Sequence, residues 1–134
     1  RNKDINFIME DALNFDGNTG PYAQYTYART CAVLRKAGED DNGARVITEE
    51  EEAALLKTLA LFPEKVLSAL ADYEPSVITR YILEAAYNRF YHNCPILSAS
   101  DPAVRATRVA ITKATNVVLG NALPLICMQK LEKI

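Results

Sequence analysis

Helix-start signals recur along the chain and constrain its fold more than any other feature. Gly20-Pro21, Thr48-Glu49-Glu50-Glu51, Glu74-Pro75 and Asp101-Pro102 each precede a run with helical apolar spacing. Proline suits the first helical position, because the N–H it lacks would find no partner there. Thr48 with Glu51 three residues on reads as a capping box, and the glutamates 49–52 favour the positive end of the helix dipole. No segment shows convincing period-two alternation. The prediction is an all-α fold, a helical bundle of four to six helices with short loops. A chain of 134 residues fits a single domain with its own core. Its start at Arg1 rather than Met suggests a domain excised from a longer chain.

After a short entry helix near 8–13, with Phe7, Leu13 and Phe15 available for packing, the first main helix is predicted over 21–37, with Gly20 as N-cap and Gly38 as its stop. The capping box starts a second, with Leu55, Leu56, Leu59 and Leu61 on its apolar side. A shorter helix over 63–71 turns Val66, Leu67 and Leu70 inward. A long helix to about Asn93 is apolar around most of its circumference and is the expected central helix. Asp101 caps the last, which runs to about Leu119 and stops near Gly120-Asn121. Its core face reads Ala103, Val104, Thr107, Ala110, Ile111, Ala114 and Val118, with Arg105, Thr112, Lys113 and Asn116 outward.

The helix over 21–37 has two unlike faces. Ala23, Tyr27, Thr30, Cys31 and Leu34 form an apolar stripe; Tyr22, Tyr25, Arg29 and Lys36 fall opposite, with Val33 among them. Tyrosine beside arginine on a polar face fits two readings: a surface that stacks on planar bases while holding phosphate, or rings packed under a neighbouring loop.

Net charge is −2, which does not advertise a nucleic-acid binder. Residues 1–60 hold seven Lys and Arg against eleven Asp and Glu, whereas 61–134 hold eight against six. An RNA contact would therefore be a local patch. The acidic segment 38–43 is expected to turn away from phosphate. Cys31, Cys94 and Cys127 are far apart, and His92 is the one histidine, so no zinc site is expected. Cys31 and Cys127 sit in apolar contexts and read as small core residues. No nucleophile–base pair, phosphate-binding glycine loop or metal cluster is apparent, so no catalytic residue is assigned. No apolar run is long enough to cross a membrane.

The run Gly17-Asn18-Thr19-Gly20-Pro21-Tyr22-Ala23-Gln24-Tyr25-Thr26-Tyr27-Ala28-Arg29 resembles the signature that opens the C-terminal helical domain of arginyl-tRNA synthetases. Lys3-Asp4-Ile5-Asn6-Phe7 is similar to the lead-in to that domain. Arg89-Phe90-Tyr91-His92-Asn93-Cys94-Pro95 resembles the aromatic run ending its penultimate helix. Arg105-Ala106-Thr107-Arg108 through Leu119 to Leu123-Pro124-Leu125-Ile126 resembles the final helix of the DALR anticodon-binding domain.

The resemblance implies a fragment that grips the anticodon loop of the tRNA for arginine, with no cofactor of its own and no DNA or membrane partner. Its parent would be a cytoplasmic arginine–tRNA ligase. ATP with magnesium and arginine would belong to a separate catalytic domain, whose HIGH and KMSKS-like motifs are missing here. By the motif, Tyr25 and Arg29 fall on the anticodon-binding pair. Tyr22 joins them, with stacking assigned to the two tyrosines and phosphate or base-edge contact to Arg29. Gln24 and Lys36 are supporting contacts on the same helix. For Arg105 and Arg108, salt bridging is favoured over RNA contact. The tail departs from the family's Pro-rich ending closed by Met, which leaves base contact by Ile134 open. Two alternatives remain: the related bundle of another class I synthetase, and a protein-interaction bundle without RNA.

Overall fold

Helix starts and stops are where local chemistry meets tertiary packing, and they define the elements of the computed structural model. It describes residues 8–13, 19–38, 43, 45–84 and 87–134. The lead-in 3–7, Phe15, the Gly17-Asn18 turn and the acidic residues 39–42 lie outside these. The helices are α1 (Met9–Ala12), α2 (Gly20–Ala37), α3 (Glu50–Ala60), α4 (Phe62–Ala71), α5 (Ser76–Glu84), α6 (Tyr87–Asn93) and α7 (Pro102–Leu125). No strand occurs among the described residues. The expected bundle is present: α5 and α6 occupy the span read as one long helix, and α1 is a single turn.

Two starts shift by one residue. Thr19, not Gly20, caps α2, because its hydroxyl accepts from Tyr22 N at 3.3 Å. Glu49, not Thr48, caps α3, and the carboxylate that turns back is that of Glu52, not Glu51. It accepts from Thr48 N at 2.7 Å and Glu49 N at 3.1 Å. Asp101 caps α7 as expected, through Ala103 N at 2.7 Å. Gly38 ends α2 with φ 68°, a left-handed conformation that glycine adopts at little cost.

The antiparallel pair α2 and α7 forms the centre, not the 74–93 segment. One core cluster joins Val33 and Ala37 to Leu55, Leu59, Phe90, Val109 and Ile111. The other joins Ala23 and Tyr27 to Ile78, Tyr81, Ile82, Leu119, Ala122 and Leu123. Helix α7 therefore runs past Gly120, for about 36 Å at 1.5 Å per residue. It ends where Met128 N reaches Leu123 O at 3.0 Å and Cys127 N reaches Pro124 O at 3.0 Å, with Cys127 left-handed at φ 59°. Gly120 is a point of close approach, since a Cβ there would meet Tyr27 Cε2 at 3.3 Å. Gly120→Val should cost about 1–3 kcal/mol by overpacking, read as a lowered urea midpoint with unchanged slope.

Packing on two sides of α7 corrects several outward assignments. Thr112 is fully buried, and Asn116 donates to Thr30 Oγ1 at 2.9 Å and Cys31 Sγ at 3.1 Å. Val33 is buried in the core. Conversely Leu13, Leu56, Leu61, Leu67 and Leu70 are exposed, as are Ala114 and Cys127. Cys94 is the buried cysteine.

Candidate nucleic-acid interface

The start of α2 at Thr19 sets the register of everything on that helix. Tyr25 and Arg29, one turn apart, are neighbours on its surface. Arg29 Nη2 donates to the Tyr25 hydroxyl at 2.6 Å, and the guanidinium carbon lies 4.5 Å from the Tyr25 ring centroid. Helix α6 brings Tyr91 to the same cation, with its centroid 4.7 Å from that carbon. Arg29 thus makes cation–π contacts with rings from two helices. Tyr25 and Tyr91 are 37% and 38% exposed, so each keeps open ring surface.

Asn88, one helical turn before Tyr91, organises the inner side. Its Oδ1 accepts from Arg29 Nη1 at 2.9 Å. Its Nδ2 donates to the Tyr22 hydroxyl and, at 3.5 Å, to Thr26 Oγ1. Tyr22 is therefore half-buried against α6 rather than presented flat to solvent. Tyr87, four residues before Tyr91, is fully buried, and burial pushes its hydroxyl up to about 12. One tyrosine of α6 thus belongs to the core and the other to the surface.

The C-terminal tail lies along α2. Gln24 Nε2 donates to Gln129 O at 3.1 Å, and Arg35 donates to Glu132 O from both terminal nitrogens, at 3.3 and 3.2 Å. Two cavities meet at Arg29, Ala32 and Tyr91. One, of about 330 Å³, continues to Lys36 and to Ile96, Leu97 and Ser98 in the 94–100 loop; the other, of about 420 Å³, continues to Tyr25, Arg35, Lys133 and Ile134. Arg29, Arg35, Lys36 and Lys133 line them together with the Glu132 carboxylate, and the remaining walls are largely aromatic and aliphatic, a combination that suits an unstacked base with its phosphate.

The structure thus brings together Tyr22, Tyr25 and Arg29, with Lys36 at the far wall. Gln24 serves the tail instead, and the tail delivers Ile134 to a cavity. Asn88, Arg35 and Tyr91 were not singled out by sequence as contacts. Tyr91 falls within the aromatic run over 89–95, but nothing local gives its distance to Arg29. Arg108 belongs to the core: its Nε pairs with Glu52 Oε1 at 2.6 Å, and Nη1 donates to Pro95 O at 2.8 Å. Among the described residues no group of His, Cys, Asp and Glu could hold a metal ion, and no helix is long and apolar enough to cross a membrane.

The architecture is a helical bundle with an aromatic–cationic cleft against its first long helix and its tail. The chain belongs to the DALR anticodon binding domain family, whose model matches residues 23–134. It is 42% identical over 99% of its length to the arginine–tRNA ligase of Clostridium perfringens, and 40% identical over 97% to that of Treponema denticola. It covers 25% and 24% of those proteins, so it spans about a quarter of their length. Among solved structures it is similar to Thermus thermophilus arginyl-tRNA synthetase, with TM-score 0.87 and 34% identity over 98% of this chain and 24% of that one. It also resembles the arginyl-tRNA synthetase of Plasmodium falciparum, with TM-score 0.82 and 25% identity over 100% of this chain and 24% of that one.

Proposed function

We propose that the chain is the anticodon-binding domain of an arginine–tRNA ligase, and that the cleft between α2, α6 and the tail receives the anticodon loop. The observation that carries this reading is the placement of Tyr25, Arg29 and Tyr91 where two cavities meet. Every arginine anticodon has C in the middle, so the domain's task is to splay the loop and read one pyrimidine. Tyr25 and Tyr91 offer ring faces for stacking. Lys36, Arg35 and Lys133 flank them where a backbone would pass. Tyr22 and Arg29 present polar edges, and Gln24 holds the tail in place.

Catalysis belongs to the remainder of the parent chain. There ATP with magnesium and arginine would be bound, and this domain would hold the tRNA while the acceptor end is charged. The chain itself takes no cofactor, and its setting is the cytoplasm, where tRNA is charged for translation.

The test is titration of the chain with two arginine tRNAs differing only in the middle anticodon base, C or G, at low and moderate salt. A preference for C that survives added salt is the expected result. Equal affinity that collapses with salt would reduce the interaction to backbone attraction and overturn the reading.

A further inference from the structure

We propose that Asn88 is a positioning residue that sets the hydrogen-bond polarity beside Arg29, at the edge of the cleft, so that Tyr22 meets the bound base as a proton donor. The inference rests on the anticodon reading above and adds to it a means of selecting the base.

A guanidinium has donors only. The Asn88 atom facing Arg29 Nη1 at 2.9 Å must therefore be the carbonyl oxygen. That places the amide NH₂ toward Tyr22 and Thr26. An amide nitrogen cannot accept, so the Tyr22 hydroxyl accepts from Asn88 and its own proton points elsewhere. The Thr26 hydroxyl is already a donor, to Tyr22 O at 2.9 Å. Among the described residues no side chain accepts the Tyr22 proton, and the ring is only half-buried.

The order of control runs from Arg29 through Asn88 to Tyr22, across two helices. The Tyr22 proton is left for a ligand acceptor. Cytosine and uracil differ on this point, since ring N3 of cytosine is a bare acceptor whereas N3 of uracil carries a hydrogen. Set against ring N3, the Tyr22 proton thus favours C over U without any charge change on the protein.

Asn88→Asp and Asn88→Ala separate polarity from shape. A carboxylate still pairs with Arg29 but can only accept, so Tyr22 turns its proton inward. Arginine tRNAs with C or U in the middle would be titrated against the chain and both variants. Side-chain NMR would follow the Arg29 guanidinium protons, and circular dichroism would check the fold. We expect the wild type to favour C by about three- to tenfold, one hydrogen bond's worth. Asn88→Asp should keep Arg29 locked yet shrink that preference to about twofold or less. Asn88→Ala should release Arg29 as well, seen as faster averaging of its guanidinium signals.

Asn88→Asp with the wild-type preference, or Asn88→Ala with Arg29 still locked, would overturn the proposal. A wild type that separates C from G but fails to separate C from U would overturn it too, leaving anticodon reading intact. A wild type that does not separate C from G at all removes the anticodon reading, and this inference with it.

Discussion

Arg108→Ala should lower the stability of the chain by about 3–5 kcal/mol, because it leaves Glu52 as an unpaired buried charge. Glu52 is fully buried and Arg108 nearly so. Their contact at 2.6 Å is supported by hydrogen bonds at every side: Thr48 N and Glu49 N to Glu52, and Arg108 to Pro95 O and Thr48 Oγ1. Breaking such a pair costs far more than its net contribution, since desolvation of both ions has largely offset their attraction. Glu52→Leu together with Arg108→Met should therefore recover most of the loss. Denaturant midpoints of the single and double variants give the comparison. A single variant within about 1 kcal/mol of wild type would show that water reaches the pair.

The same pair fixes an acid dependence. Burial alone would raise the Glu52 pKa, but the hydrogen bond from Arg108 and those from the Thr48 and Glu49 amides outweigh it and hold the carboxyl below its ordinary value of 4.5. The folded pKa is depressed, so the stabilisation is complete above the unfolded value and is lost as pH falls through the folded one. Melting temperatures should drop below about pH 4.5 in the wild type and less steeply in the double variant. Arg108 also grips Pro95 O, at the start of the loop whose Ile96, Leu97 and Ser98 wall one cavity. A core ion pair thereby holds a wall of the cleft.

Local chemistry made the helix starts legible. Proline and a capping side chain act within four residues, and so Asp101-Pro102 could be read directly. The one-residue shifts at Thr19 and Glu49 arose because neighbouring residues could each cap, and only the path of the entering chain decides between them. Gly120 misled for a different reason. As a stop signal glycine works by adopting left-handed backbone, but here it stays helical and admits Tyr27, while Ala122 and Leu123 behind it are fully buried. Tertiary packing overrode the local signal. Likewise Thr112 and Asn116 look polar and outward until α2 and α3 are seen to flank α7 on separate sides. The site divided along the same line. Tyr22, Tyr25 and Arg29 share one helix and one motif, so the sequence could place them together. Asn88 sits 59 residues from Arg29, and no periodicity encodes that distance. The tail's course along α2 depends on backbone carbonyls of Gln129 and Glu132, which side-chain identity does not announce.

Removing either exposed ring should weaken binding of the arginine tRNA roughly ten- to a hundredfold, the value of one base stack, without unfolding the bundle. Tyr25→Ala and Tyr91→Ala are the variants, and both side chains are more than a third exposed, so helical circular dichroism should hold. Their effects should not add. Both rings lean on the Arg29 cation, at 4.5 and 4.7 Å, and loss of one frees the guanidinium to move from the other. A double-mutant cycle should return a coupling of about 0.5–3 kcal/mol, whereas rings that acted independently would give none. Arg29→Lys separates charge from geometry: it keeps the positive charge but loses the planar group that spans Tyr25, Tyr91 and Asn88. If charge alone held the RNA, Arg29→Lys would bind as wild type does. If the planar cation is what sets the two rings, it should bind about as poorly as the single tyrosine variants. Intact folding with undiminished affinity in both tyrosine variants would move the anticodon off this face of the molecule.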